Sequence, residues 1–210
     1  DYKLFRTPEA VTLNPYQTKQ IAFLNVQGVE LDKVYTFNMG LPDETRATQQ
    51  REAIVRYDIN NSRNGALARS LPAGTMRFSA PTSEGLSLHV AEGEAENLAV
   101  DVPVKIETAP SGAVVLEETV ALVASRNGDL EKTFAVTAAV INTQNKAAIA
   151  EVRFEQMLRL LERGGWGIKS IDIISESHPR KTDTAFPTWR LKVPANDAET
   201  RRWQVRVQYR

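Results

Sequence analysis

The 210-residue sequence contains no cysteine. This absence excludes disulfide bonds, thiolate catalysis and zinc sites with cysteine ligands, and it leaves the cellular compartment undecided. The two histidines, His89 and His178, are far apart and have no partner at a recognised ligand spacing, so we expect no metal site. Neither a GxSxG sequence nor a phosphate-binding glycine loop is present, and we therefore expect no catalytic residue and no cofactor.

The sequence also lacks any excess of charge of one sign. Lysine and arginine together number 26, as do aspartate and glutamate, so the net charge is zero. A phosphate-backbone partner needs a basic surplus, which argues against nucleic acid as the partner. No run approaches the ~18 apolar residues of a membrane span. The first residues lack the apolar region of a signal peptide, which decides little because such a segment is removed from the mature chain.

Alternating apolar and polar side chains form the clearest pattern, and it lies in the last stretch, Phe186 to Arg210. The apolar side chains of this stretch are Trp189, Leu191 and Val193, and then Trp203, Val205, Val207 and Tyr209. Period-two alternation is typical of half-buried antiparallel strands. It predicts that the stretch is the closing hairpin of a β-sandwich, with both tryptophans facing inward.

A second hairpin is predicted in the middle of the chain. Two extended runs, Val114 to Ala124 and Leu130 to Asn142, are joined through Asn127-Gly128. Asn-Gly is the preferred centre of a two-residue type I′ turn because both central residues need positive φ. Shorter strands are predicted between turns rich in proline, glycine and asparagine, including one from Thr18 to Val26 and one with Leu86, Leu88 and Val90 on one side.

One segment has helical spacing. Phe154, Met157, Leu158 and Leu161 recur at intervals of three and four, and Gly164-Gly165 follows as a natural stop. This pattern predicts a short helix from Glu155 to Arg163.

These elements together predict an all-β fold with at most one short helix. The favoured arrangement is two packed immunoglobulin-like antiparallel β-sandwiches, with an N-terminal sandwich at 1–95 and a C-terminal one at 96–210. One larger sandwich is the alternative. The boundary is placed near Gly93 to Asn97, because the acidic segment Glu92 to Glu96 has few side chains to bury and would be a solvated linker.

The basic face of the predicted closing hairpin is the one candidate binding surface, formed by Arg190, Lys192, Arg202, Arg206 and Arg210. It would receive an acidic protein or an anionic glycan, although charged rows on sheet faces are ordinary and arginines also prevent edge-to-edge association. The adjacent Ser177 and His178 do not indicate a catalytic pair, since catalytic partners need an orienting carboxylate.

The stretch Leu71-Pro72-Ala73-Gly74-Thr75-Met76-Arg77, preceded by the turn Asn61 to Gly65, carries a family resemblance. With the entry at 11–20, the segment at 176–179 and the close at 189–209, it resembles the conserved C-terminal domain of unknown function of bacterial proteins related to mucoidy inhibitor A. The resemblance implies a β-rich domain in proteins exported towards the envelope, hence a periplasmic or secreted location. It supplies no catalytic residues. The coiled coil that precedes this domain in longer relatives is absent, and the helical pattern at 155–163 is not expected of the family.

Three functions follow as hypotheses. The first is a non-catalytic interaction module of a bacterial envelope or secreted protein, which binds a protein or a surface. The second is a carbohydrate-active or hydrolytic enzyme whose acidic residues converge only in three dimensions. The third is a polyanion-binding module that uses the face from Arg190 to Arg210. The sequence leaves the oligomeric state open.

Overall fold

The computed structural model describes residues 10–12, 14–18, 26–162, 167–182 and 184–210. The described chain is mostly β, as predicted, with one helix. The strands are β1 (Leu31–Asn38), β2 (Arg46–Ile59), β3 (Gly74–Pro81), β4 (Ser87–Ala95), β5 (Val104–Arg126), β6 (Glu131–Asn142), β7 (Ala148–Arg153), β8 (Ile168–Glu176), β9 (Thr188–Val193) and β10 (Asp197–Tyr209), and the helix α1 is Glu155–Glu162. Most of the strand predicted from Thr18 to Val26 lies outside the described residues.

Eight of the strands form one curled sheet in the order β8-β10-β6-β5-β2-β1-β7-β9, and β3 and β4 form a separate two-stranded sheet. Neighbouring strands of the large sheet are antiparallel except β1 and β7, which are parallel. The curl brings β9, at one edge, onto β10, so that the rings of Trp189 and Trp203 lie 4.9 Å apart. Both rings also contact Phe154, at 5.2 and 5.3 Å. The core therefore lies inside the curl.

The predicted closing hairpin is wrong in its pairing and right in its orientation. Trp189 and Trp203 are 1% and 2% exposed, so both face inward. However, β9 pairs with β7, while β10 lies between β6 and β8. The two strands meet across the core instead of side by side. The alternation predicts which face of each strand is buried, but it carries no information on which strand is the neighbour.

The division into two immunoglobulin-like sandwiches is not confirmed. Strands from both sides of residue 95, β1 and β2 as well as β5 to β10, belong to the same sheet. The acidic segment predicted as a linker lies largely within β4, where Ala95 is buried. Strand alternation explains why this acidic segment is part of a strand and not a solvated linker. Glu92 and Glu94 point outward, while Gly93 and Ala95, which alternate with them, face the protein.

The predicted hairpin between β5 and β6 is confirmed, with a longer loop. Arg126 pairs with Glu131, so four residues form the connection. Asn127, Gly128 and Asp129 all have positive φ, at 53, 61 and 71°. Phe134, as predicted, faces the core with the alternate residues of β6, Val136, Ala138 and Val140.

The predicted helix is also confirmed, over Glu155–Glu162; Arg163 and the glycine stop lie outside the described residues. Phe154 and Met157 are buried, at 0% and 1% exposed. Arg159 forms an i,i+4 ion pair with Glu155 at 2.6 Å. In the part of the chain that the structure describes, no helix is long and apolar enough to cross a membrane.

The two-stranded sheet, which we call the ribbon (β3 and β4, 74–95), packs its base against the large sheet. Phe78 stacks on Tyr57 with ring centroids 4.0 Å apart. Gly93 crosses β5 so closely that a Cβ there would lie 2.3 Å from the carbonyl oxygen of Glu107. The pairing shifts between Phe78 and Ser79, which pair with Ala91 and His89, so Val90 is left as a β-bulge.

Asn142 holds the connection between β9 and β10 in place. Its side-chain amide donates to the carbonyls of Lys146 and Pro194, both at 2.8 Å, and its side-chain oxygen accepts from the backbone N–H of Gln144 at 3.1 Å. Asn142 is 1% exposed, so these bonds satisfy a polar group that is removed from water. The chain can therefore pass tightly from β9 at the sheet edge to β10.

Candidate functional site

A charged cleft of about 1020 Å³ lies against the outer face of the large sheet. Its floor comes from β2, β5, β7 and β9, and its walls come from the base of the ribbon and from the loop that precedes β9. Strand alternation explains why charged side chains form the floor, because the residues that follow or precede the core residues of a strand point to the opposite face of the sheet. Thus Arg56 precedes Tyr57, Glu151 lies between Ala150 and Val152, and Arg190 follows Trp189.

Arg56 is the buried centre of this floor, with 3% of its side chain exposed. Its Nε lies 2.5 Å from Asp58 Oδ1 and its terminal nitrogen 2.8 Å from Asp58 Oδ2, which is a bidentate contact. The same terminal nitrogen donates to Glu151 Oε2 at 2.9 Å. Burial opposes the charge on Arg56, but the bonds to Asp58 and Glu151 outweigh it, so the pKa of Arg56 is raised above its ordinary value.

Glu151 accepts contacts from three guanidinium groups. Besides Arg56, Arg153 lies 3.2 Å from its Oε2 and Arg190 lies 3.5 Å from its Oε1. Arg190 also reaches Asp32 on β1 at 3.4 Å. The network therefore joins β1, β2, β7 and β9 across the outer face. Because both oxygens of Glu151 are engaged by guanidinium groups, we assign this carboxylate an anchoring role within the network.

The walls of the cleft are more exposed than its floor and carry charged side chains whose described contacts are weak. Glu92 pairs with Arg77 at 3.3 Å, and both side chains are more than half exposed. Glu94 accepts a bond from the Thr75 hydroxyl at 2.9 Å. Lys105 is exposed. Salt bridges between exposed side chains contribute little, so these groups remain accessible to a partner.

The predicted basic face is divided in the structure. Arg190 lies in the cleft and is engaged by Glu151 and Asp32, and Lys192 is on the same outer face of β9. Arg202 and Arg206 lie on β10, which is separated from β9 in the sheet order by five strands. Because Trp189 and Trp203 face each other, the outer faces of their two strands point away from each other. Arg210 follows the end of β10 and is exposed. The five residues therefore do not share the face of one hairpin, and their role in binding stays a prediction.

Ser177 and His178 do meet, but as a turn. His178 Nδ1 lies 3.0 Å from Ser177 Oγ. The same hydroxyl accepts a bond from the backbone N–H of Arg202 at 3.0 Å, and the Ser177 N–H donates to the carbonyl of Arg202 at 2.9 Å. The His178 carbonyl accepts the indole N–H of Trp189 at 3.0 Å. These bonds attach the loop to the core, which is a structural role.

The tip of the ribbon is the second unusual surface. Leu86, Leu88 and Val90 are 63%, 59% and 48% exposed. Leu88 lies directly opposite Ala80, and Ala80 is on the same face of β3 as Phe78, which pairs with Ala91 and packs on Tyr57. Leu88 is therefore on the face of the ribbon that packs against the large sheet at Phe78. The apolar face of the ribbon therefore continues outward beyond the part that packs against the sheet.

Sequence reasoning missed the ion-pair network. Arg56, Asp58 and Glu151 occupy the polar side of predicted strands, where charged residues are expected to be solvated. No local signal distinguishes a polar face that the rest of the chain covers from one that meets water. The buried contact of Arg56 is made with Glu151 on β7, a strand that is distant from β2 in sequence.

Among the described residues, no group of three or more histidine, cysteine, aspartate or glutamate side chains is arranged to hold a metal ion. Comparison with known proteins adds no relative: no family model, no curated protein and no solved structure matches the chain.

Proposed function

We propose that this chain is a non-catalytic β-rich interaction module of a bacterial envelope or secreted protein, and that its partner is another protein. The observation that carries the proposal is the exposed apolar tip of the ribbon. Three large apolar side chains within five residues, each about half exposed or more, are a sign of a contact surface. The resemblance to the mucoidy-inhibitor-A-related domain is the basis for the bacterial envelope location.

The ribbon also suggests the chemistry of the partner. Within the described part of the chain it consists of two strands, which pair with each other and with no strand of the large sheet. A two-stranded ribbon gains stability from a further strand, which would pair with its free backbone groups. We therefore propose a partner that adds an extended segment with apolar side chains at alternate positions, as in β-strand addition. The apolar side chains of that segment would cover Leu86 and Leu88.

The experiment identifies the partner first and then measures its affinity. The chain is cross-linked in a bacterial envelope extract, the attached protein is identified by mass spectrometry, and its cross-linked segment is synthesised as a peptide. Affinity is then measured by fluorescence anisotropy for the unmodified chain, for the double variant Leu86→Ser/Leu88→Ser, and for the control Leu130→Ser. Leu130 is 48% exposed and lies in the loop between β5 and β6, outside the ribbon.

We expect the peptide to bind the unmodified chain and the control equally, and the ribbon variant at least ten-fold more weakly. An equal affinity for all three proteins would place the contact elsewhere and contradict the proposal. A captured segment that is helical, or that lacks apolar residues, would contradict the strand-addition chemistry. Failure to cross-link any protein above the level of a control without the chain also counts against it.

Hydrolysis in the charged cleft is the second candidate function. The observation that favours it is the gathering of Asp58, Glu107 and Glu151 around one cleft. The side chain of Glu107 is 60% exposed and its ion pair with Arg153 is long, at 3.8 Å, so this carboxylate is open to a substrate. A screen of glycoside and ester substrates should detect turnover that Glu107→Gln abolishes; no turnover, or turnover that this variant retains, would dismiss this candidate.

Polyanion binding is the third candidate, now restricted to β10, where Arg202 is exposed on the outer face. It predicts salt-sensitive retention on heparin that Arg202→Glu/Arg206→Glu weakens. Arg190→Gln is the matched control, because that side chain is engaged by Glu151 and Asp32. Retention that the double variant leaves unaltered would dismiss this candidate.

A further inference from the structure

Where β8 meets β10, two buried polar atoms have no hydrogen-bond partner among the described residues. They are the indole nitrogen Nε1 of Trp203 and the carboxylate oxygen Oε2 of Glu176. Trp203 is 2% exposed, and its ring lies in the aromatic cluster with Trp189 and Phe154. The other oxygen of Glu176 faces Arg180 at 3.6 Å. Buried polar atoms almost always have a partner, so a pair of unpartnered atoms requires an explanation.

The register of the sheet places these two side chains together. Trp203 and Glu176 are directly opposite each other in the pairing of β10 with β8. Directly opposite residues share a face of the sheet, with Cβ atoms about 4.5–5.5 Å apart. An indole nitrogen is only a donor, and an ionised carboxylate is only an acceptor. The neighbouring Trp189 shows the satisfied case, because its indole N–H donates to the His178 carbonyl at 3.0 Å.

We propose that Glu176 and Trp203 together bind one buried water molecule. The water accepts the indole N–H of Trp203 and donates to Oε2 of Glu176. Water fits this site because it combines an acceptor for the indole N–H with a donor for the carboxylate in the smallest volume. Buried waters characteristically join polar groups that are otherwise unpartnered.

The position of the site gives the water a structural consequence. Glu176 is the last residue of β8, and the loop that follows it supplies Lys181 and Phe186 to the wall of the charged cleft. The water therefore joins the start of this loop to β10 in the core. It acts beside the bonds of Ser177 to Arg202, which hold the same turn.

Nuclear magnetic resonance of the indole groups tests the proposal. The chain has three tryptophans, so the three indole N–H signals are assigned with single Trp→Phe variants. We expect the Trp203 indole proton to show a nuclear Overhauser cross-peak to water with the sign of a long-lived bound molecule. The Trp189 indole proton, which is bonded to a carbonyl, serves as the internal control and should show none.

Two variants of Glu176 identify the acceptor. Glu176→Leu should abolish the cross-peak and move the Trp203 indole proton upfield, whereas Glu176→Gln keeps an acceptor oxygen and should retain the cross-peak. A cross-peak that persists in Glu176→Leu would overturn the role of Glu176. The absence of a water cross-peak in the unmodified protein would overturn the proposal. If, in addition, the Trp203 indole proton shifted in Glu176→Leu, the indole would be bonded directly to Glu176 and not through water. If Glu176→Leu does not fold, the other two proteins decide.

Discussion

The inner and outer faces of β7 and β9 bury their side chains by different means. On the inner face Val152, Leu191 and Trp189 are at most 1% exposed and pack against other apolar groups. On the outer face Glu151 is 5% exposed and faces three guanidinium groups. An apolar side chain is stabilised by almost any close neighbour, whereas a buried charge is tolerated only with specific partners. The outer face therefore depends on particular residues, and the inner face depends on volume.

The largest effect is expected on the inner face, for Trp189→Ala. This change removes a ring that contacts both Phe154 and Trp203 and leaves a cavity, so the free energy of unfolding should fall by about 3–5 kcal/mol. Chemical denaturation measures the loss. The control is Leu130→Ala at a half-exposed leucine, for which we expect less than about 0.5 kcal/mol. Equal losses for the two variants would show that the Trp189 ring is not part of the core.

On the outer face, Glu151→Gln should lower the free energy of unfolding by about 3 kcal/mol, because it removes one of the two carboxylates that balance the charge of the buried Arg56. The double variant Arg56→Met/Glu151→Leu sharpens the comparison. If the outer face depends on pairing, this double variant should be more stable than Glu151→Gln, since the most deeply buried charge, that of Arg56, is removed together with its partner. A double variant that is less stable than Glu151→Gln in chemical denaturation would contradict that reasoning.

The contact between ribbon and sheet should break with Gly93→Ala. The new Cβ would lie 2.3 Å from the Glu107 carbonyl oxygen and 2.6 Å from Ile106 Cγ2, so the ribbon has to move. We expect a loss of about 1–3 kcal/mol in the free energy of unfolding, as for overpacked cores. Gly40→Ala, where no atom lies within 4 Å of the new Cβ, is the matched control. A Gly93→Ala protein as stable as this control would show that the ribbon does not approach β5 as described.

The smallest effect is expected at Tyr209, on the inner face of β10, where a substitution should change how the free energy of unfolding depends on pH. Burial, together with the negative charge of Asp43, raises the pKa of Tyr209 above its ordinary value. The unfolded chain therefore loses this proton first as the pH rises above about 10, and the folded state is destabilised relative to it. Denaturation between about pH 9 and pH 11 should show a shallower loss of stability for Tyr209→Phe than for the unmodified protein. Tyr16→Phe, at a fully exposed ring, is the control, and identical slopes for all three proteins would contradict the assignment.

The sequence alone determined the β class, the single helix near 155–162, the hairpin at Asn127-Gly128 and the inward orientation of Trp189 and Trp203. Each of these depends on residues that are close in sequence, such as the positive φ of a turn or the alternation along one strand. Local chemistry is sufficient for them because neighbours along the chain already contain the required information.

Only the tertiary structure decided which strands are neighbours and which charges are buried. Trp189 and Trp203 meet across a curled sheet, although the same alternation suits a hairpin equally well. Arg56 and Glu151 meet although 95 residues separate them along the chain. Strand order and the covering of a polar face depend on how the whole sheet closes, and pairs of distant residues carry no mark in a single sequence. The candidate site, unlike the strand faces, is therefore a product of the fold.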